Sequence, residues 1–509
     1  MLRIRLDLKL SFHIFIVILI LFLGSLGALA AADSKTQAKY IFLFIGDGMG
    51  IAQRNAAENY LASINGLKRP EEARLVMNTF PAQGMTTTYD LSSVIPDSSS
   101  TATAISTGFK TKSGLLAMDS EGKTPYPTIA EVAKKKDWKV GIVTTVSLDH
   151  ATPAAFYAHV PHRNQMYEIG LQLAKSGFDY FGGGQLLQPL DPKDNTKPNA
   201  LDLAKKNGYI IALGRTEFDK LKKGSNKVIA MSELVDKEKA LFFSIDQHTD
   251  RGHITLAEFV AKGITLLDNP KGFFFMIEGG KIDWACHAND AATAILETLA
   301  LDASVAEAVA FYRKHPKETL ILVTGDHETG GLAIGYAGTR YKFSIEKLKT
   351  QKMSYLQFDK KLAAFKKEHS PKTAKLKDVL PLIKESFGLY VRTAEEKSPR
   401  ETEKSSASDL ALTDREFKIL QEALKQSMMD VNERSRDESD YLHYGRYEPL
   451  TIKLTTILNN KAGIGWTSYS HTGIPVQTSA LGVGAELFNG YYDQTDIYRK
   501  LMKISGLAE

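Results

Sequence analysis

Four short apolar runs punctuate the chain, and each stops at a glycine, an acid or a histidine. Tyr40 to Ile45 breaks at Gly46-Asp47-Gly48, and Val140 to Val146 runs into Asp149-His150. Phe273 to Ile277 meets Glu278-Gly279-Gly280, and Leu320 to Val323 meets Gly325-Asp326-His327. Runs of this length without polar alternation are the pattern of strands buried on both faces of a parallel sheet. Helical stretches lie between them, among them Thr128 to Lys135 and the alanine-rich Asn289 to Tyr312. The order is therefore β-α repeated, which predicts the α/β class. In open α/β sheets functional groups collect outside the carboxyl ends of the strands. One Asp or His at such an end is usually a turn former; four strand ends with ionisable residues predict a shared site.

From about Arg340 to Glu448 the pattern changes to Lys/Glu-rich, amphipathic helices. Tyr355, Phe358, Leu362 and Phe365 share one face, as do Phe417, Leu420, Leu424 and Met428. Thr413-Asp414-Arg415-Glu416 has the form of a capping box. Ala394 to Ser408, rich in Ser, Glu and Lys, reads as a mobile loop. Residues 340–448 are thus expected to be a helical cap inserted into one domain spanning 31–509, because strand-like and ligand-like sequence resumes after Leu450.

The chain has 509 residues, 43% of them hydrophobic and 24% charged, which is ordinary for a globular protein. A net charge of +5 excludes a nucleic-acid binder driven by a large positive field. Cys286 is the single cysteine, so no intramolecular disulfide can form. Residues 1–30 have a basic start, an apolar run from Phe12 to Leu23 and the small-residue pattern Ala28-Leu29-Ala30, the arrangement of a cleaved signal peptide. Export to a periplasmic or extracellular location is the expectation, without stable membrane insertion after cleavage; an uncleaved anchor is the alternative.

Asp97-Ser98-Ser99-Ser100 opens a small-residue helical stretch that ends before Gly108. A serine at a helix start sits where backbone N–H groups and the macrodipole favour an anion such as phosphate, although local sequence alone makes it a structural N-cap. Asp283 and His287, four apart, project from one helix face and can hold one cation. Asp326-His327 and His471 add a carboxylate and two imidazoles. Mixed His and Asp ligation suits zinc, whereas an oxygen set such as Asp47, Glu278 and the Thr152 hydroxyl suits magnesium. The composition therefore points to more than one metal, and paired metals clamp both the attacking and the leaving oxygen of a phosphoryl displacement.

These segments, in this order, resemble the alkaline phosphatase family. The carriers are Gly46-Asp47-Gly48-Met49-Gly50, Asp97-Ser98 with Thr101-Ala102-Thr103-Ala104, and His150-Ala151-Thr152-Pro153 running on to Arg163. Glu278 to His287, Thr324-Gly325-Asp326-His327 and His471-Thr472-Gly473 complete the set. The resemblance implies a three-layer α/β/α fold and a phosphate monoesterase in which Ser98 becomes phosphorylated and Arg163 clamps the phosphate. It also implies one zinc on Asp283, His287 and His471, a second on Asp47, Asp326 and His327, and a magnesium near Asp47, Thr152 and Glu278. His150 stands where some relatives have aspartate, so the third site is open to magnesium or zinc. Small phosphate monoesters are the implied substrates, and a homodimer the implied assembly. A phosphodiesterase of the same superfamily and a non-catalytic metal- or phosphate-binding surface protein are the competing readings.

Overall fold

The computed structural model describes residues 37–248, 251–392, 410–435 and 437–508. The leader and the Ala394 to Ser408 loop lie outside the described residues. Among the described residues no helix is long and apolar enough to cross a membrane.

The strands in chain order are β1 (Tyr40–Gly46), β2 (Ala82–Thr87), β3 (Lys139–Thr144), β4 (Tyr180–Gly183), β5 (Ile210–Leu213), β6 (Val228–Met231), β7 (Phe273–Glu278) and β8 (Thr319–Gly325). They are followed by the two-residue strands β9 (Glu328–Thr329), β10 (Ala333–Ile334), β11 (Ile464–Gly465) and β12 (His471–Thr472), then β13 (Val476–Gly482) and β14 (Gly490–Asp493). The large sheet has the order β14-β2-β13-β8-β1-β7-β3-β4-β6-β5. From β8 to β5 every pairing is parallel, and β13 runs antiparallel to both its neighbours. The four apolar runs of the sequence are thus four adjacent strands, β8, β1, β7 and β3.

Alternate residues of these strands feed two separate cores. Phe42, Phe44, Phe275, Ile277, Ile321 and Val323 pack on one face; Ile41, Leu43, Ile45, Phe274, Met276, Leu320 and Leu322 pack on the other. Helices cover both faces, which gives the three-layer α/β/α arrangement. Each such side chain contributes about 1.5–3 kcal/mol when fully buried, so a polar residue in the middle of any of these strands would be costly.

The segment after β10 leaves the sheet and carries the helices Tyr355–Glu368, Leu376–Phe387, Asp414–Met428 and Glu438–Tyr444. Ile334 of β10 pairs antiparallel with Ile464 of β11, so the chain returns to the place it left. Strand structure resumes after Leu450 as expected, with β11 to β14, but only from Ile464 onward. Pro449–Ala462 is a helix with Pro at its first turn, and it ends at Gly463, whose φ is 87°. Leu450, Leu454, Ile457 and Leu458 line its buried side, so packing against neighbouring helices decides the conformation of a β-branched stretch.

Candidate active site

The register brings the strand ends level. Gly46 pairs with Gly325, and Glu278 lies opposite both Ile45 and Thr144. Asp47, Glu278, Asp326 and His327 consequently meet at one edge, all fully buried. Burial, reinforced by the neighbouring carboxylates, pushes Asp47 well above the usual carboxylate range, Asp326 up to about 8 and Glu278 up to about 7. Such a cluster of like charges is costly without a compensating cation. Gly48, at φ 70°, lets the turn after β1 pass close to it: a Cβ there would lie 2.9 Å from Asp283 Oδ1 and Thr329 Oγ1.

Ser98 opens the helix Ser98–Thr107, but the N-cap is Asp97, whose side chain accepts from Ser100 N. The N-cap reading of Ser98 is corrected accordingly: a carboxylate one residue earlier takes the capping bond, which leaves the serine hydroxyl uncommitted to the helix. Ser98 Oγ lies 3.1 Å from His327 Nε2 and 3.4 Å from Asp47 Oδ1. Thr101, one turn on, donates to Asp326 Oδ2 at 3.1 Å.

Asp283 and His287 occupy the helix Lys281–His287, with 3.4 Å between Asp283 Oδ2 and His287 Nε2. His471 is on β12, which pairs with β9 immediately after His327. His287 Nδ1 is 2.6 Å from Tyr469 O and His471 Nδ1 is 2.7 Å from Pro96 O. A carbonyl oxygen only accepts, so each Nδ1 carries a proton, and in the neutral ring each Nε2 then bears a lone pair. Those two Nε2 atoms face one another at 3.1 Å. Two lone pairs at that distance repel unless a cation lies between them, and the Asp283 carboxylate lies 3.4 Å from His287 Nε2 and 3.6 Å from His471 Nε2. The donor set fits metal ions.

The third group lies beyond Asp47. Thr152 Oγ1 is 3.3 Å from Asp47 Oδ2, and Thr144 donates a short hydrogen bond to Glu278 Oε2. Glu278 Oε1 and His150 Nδ1 are buried without a hydrogen-bond partner, so both atoms are available to a cation. Overall, ligand atoms lie within 4.8 Å of one another in three sets: Asp283, His327 and His471; Asp47, Asp326 and His327; Asp47, His150 and Glu278. His287 joins the first through its contacts with Asp283 and His471.

Arg163 reaches the same place from a loop, with Nη1 3.0 Å from Asp97 Oδ2 and Nη2 3.4 Å from His150 Nε2. Burial works against ionisation of Asp97, yet the Arg163 charge and the Ser99 and Ser100 hydrogen bonds hold it down to about 2. Burial first, then the adjacent guanidinium, drives His150 down to about 3, so its imidazole is neutral.

The sequence reading missed the residues that hold these groups. Thr329 Oγ1 touches both Asp283 and His327. Glu328 accepts from Gln53, Gly331 N, Leu332 N and Thr472, and so joins the strand after His327 to the strand of His471. Asp149, beside His150, accepts from Leu187 N and Gln188 N and is spent on a loop. Only the adjacency of Glu328 and Thr329 to Asp326-His327 offered a signal.

Residues 38–507 match the family model for alkaline phosphatase, and the chain belongs to that family. It is similar to Alkaline phosphatase 3 of Bacillus subtilis (strain 168), with 29% identity over 498 residues covering 94% of this chain and 92% of the relative. Alkaline phosphatase of Schizosaccharomyces pombe is 27% identical over 490 residues, covering 91% and 80%. Among solved structures, the cold-active alkaline phosphatase of Shewanella sp. superimposes with a TM-score of 0.71 at 27% identity, covering 92% of this chain and 99% of that one. The Thermus thermophilus alkaline phosphatase shares the fold, with a TM-score of 0.73 at 23% identity over 93% of this chain and 92% of the other. The protein is a metal-dependent phosphatase.

Proposed function

We propose that the enzyme hydrolyses phosphate monoesters by two successive in-line displacements, with Ser98 as the transiently phosphorylated nucleophile. The observation that carries this is the position of Ser98 Oγ, freed from capping by Asp97 and set against His327 and Asp47. Asp283, His287 and His471 would hold one zinc, Asp47, Asp326 and His327 a second, and Asp47, Thr152 and Glu278, with His150 beside them, a magnesium. Bound there, the ions lower the pKa of coordinated hydroxyls and neutralise the charge that builds on the attacking and leaving oxygens.

In the first displacement Ser98 Oγ gives up its proton and bonds to phosphorus as the bond to the ester oxygen breaks, and that oxygen takes a proton from solvent and departs as the alcohol. In the second, water gives up a proton and bonds to phosphorus as the Ser98 Oγ–P bond breaks, Ser98 Oγ regains a proton and inorganic phosphate is released. Arg163 keeps N–H donors beyond its bonds to Asp97 and His150, and its planar fork matches two phosphate oxygens in a way lysine cannot. Asp97 holds that fork beside Ser98 in both steps.

The leader pattern of residues 1–30 supports export as the cellular setting, and the excursion between β10 and β11 supports reading 340–448 as a cap on the catalytic domain. The test is turnover of 4-nitrophenyl phosphate against bis(4-nitrophenyl) phosphate, before and after chelation and with zinc plus magnesium restored. Monoester turnover lost on chelation and regained with metals is expected; dominant diester turnover, or tight phosphate binding without turnover, would overturn the reading.

A further inference from the structure

A cavity of about 590 Å³ opens beside the site, and its wall includes both His150 and His287. The excursion between β10 and β11 also lines it, through Tyr355, Leu356, Arg446 and Tyr447. We infer that this cavity is a leaving-group subsite, selective for phosphate monoesters whose alcohol carries a planar heteroaromatic ring. The inference rests on the hydrolytic reading above, because an in-line displacement by Ser98 sends the leaving group to the far side of phosphorus, towards the helix of Asp283 and His287.

The chemistry of the walls chooses the occupant. Trp284 lies on the helix of Asp283 and His287, half-buried, with the His150 ring edge-on at 6.0 Å. Lys281 Nζ, itself fully buried and paired to Asp236 at 2.6 Å, sits 4.6 Å from the Trp284 ring centroid, so the indole is supported from below and holds its place. Tyr447, which lines the same cavity, has its ring braced by Tyr355 at 5.8 Å and Tyr469 at 6.3 Å. Braced aromatic side chains lose little entropy when a flat ring packs against them. The charged residues around the cavity are mostly committed: Arg434 is bonded to Glu448 at 3.1 Å, and Lys237 is 3.7 Å from Glu238. Arg446 is exposed and, among the described residues, has no ion-pair partner. It can donate to the acceptor edge of a heteroaromatic ring, which a sugar phosphate or a simple alkyl phosphate lacks.

Adenosine 5′-monophosphate and ribose 5-phosphate test this cleanly, since both leave through the same 5′-oxygen and differ by the ring alone. The ratio of their kcat/KM values carries the result. The parent enzyme is expected to favour the nucleotide by roughly tenfold or more, the size of one base–aromatic stack, with the gain in KM. Tyr447→Leu and Arg446→Ala together should bring the ratio close to one, while Tyr447→Phe, which keeps the ring, should preserve it. No preference in the parent, or a preference that survives the double variant, would overturn the subsite. Absence of turnover with both sugar phosphates would instead sink the hydrolytic reading, and the subsite with it.

Discussion

The Thr329 hydroxyl donates to Asp283 Oδ1 at 2.6 Å and lies 3.2 Å from His327 Nδ1. A carboxylate only accepts, so the threonine proton goes to Asp283 and its oxygen receives the His327 Nδ1 proton. One hydroxyl thereby orients a carboxylate from the helix Lys281–His287 and an imidazole from the end of β8, and leaves the His327 Nε2 lone pair facing Ser98. Thr329→Val should weaken zinc binding by about 10–100-fold, measured by competition with a chromogenic chelator, whereas Thr329→Ser should keep parental affinity. Equal affinity in the valine variant would remove this role.

Ser98→Ala removes the attacking oxygen and little else, because the helix cap is Asp97. Monoester turnover should fall by roughly three orders of magnitude or more, with zinc content and melting temperature near the parent. Acid quenching during turnover should trap phosphate on the parent and none on the variant. A phosphorylated Ser98→Ala protein would place the nucleophile elsewhere.

Asp97 keeps Arg163 in place by a charge-assisted bond of 3.0 Å. Asp97→Asn retains the shape but loses the charge, so the guanidinium should be held less firmly and grip phosphate less well. Inorganic phosphate should inhibit the variant with a Ki about tenfold higher. An unchanged Ki would show that Arg163 is positioned without Asp97.

Asp359 in the helix Tyr355–Glu368 gives a pH test of stability. Burial, aided by the Glu448 charge, pushes its carboxyl up to about 7, against the hydrogen bond from Thr451. The folded chain therefore keeps a proton that the unfolded chain releases near pH ~4. Stability attributable to this group is present below that value, falls as pH rises towards 7 and stays reduced above it. Asp359→Asn should become progressively more stable than the parent across that window, by roughly 1–2 kcal/mol after discounting for partial exposure. Urea midpoints of both proteins at matched metal content from pH 5 to 9 measure it, and a pH-independent difference would refute the assignment.

Much of this protein is legible in its sequence for a simple reason: strands buried on both faces admit no polar residue until they end. The runs closing at Asp47, Glu278 and Asp326-His327 therefore mark both the central strands and the residues at their mouths, and i, i+4 spacing alone puts Asp283 and His287 on one helix face. Other features depend on contacts between segments far apart in the chain. The helix Pro449–Ala462 is decided by packing, against a strand-like local pattern. Hydrogen bonds from His287 and His471 to carbonyls of Tyr469 and Pro96 set the facing lone pairs, and no local pattern encodes a tautomer. Thr329, Glu328 and Tyr447 are ordinary residues in the sequence, and they acquire roles only where the fold brings β9 onto β12 and the excursion after β10 back beside Trp284. Local physics determined which side chains arrive at the sheet edge; the long-range closure of the chain decided how they are held, and what shape of leaving group they face.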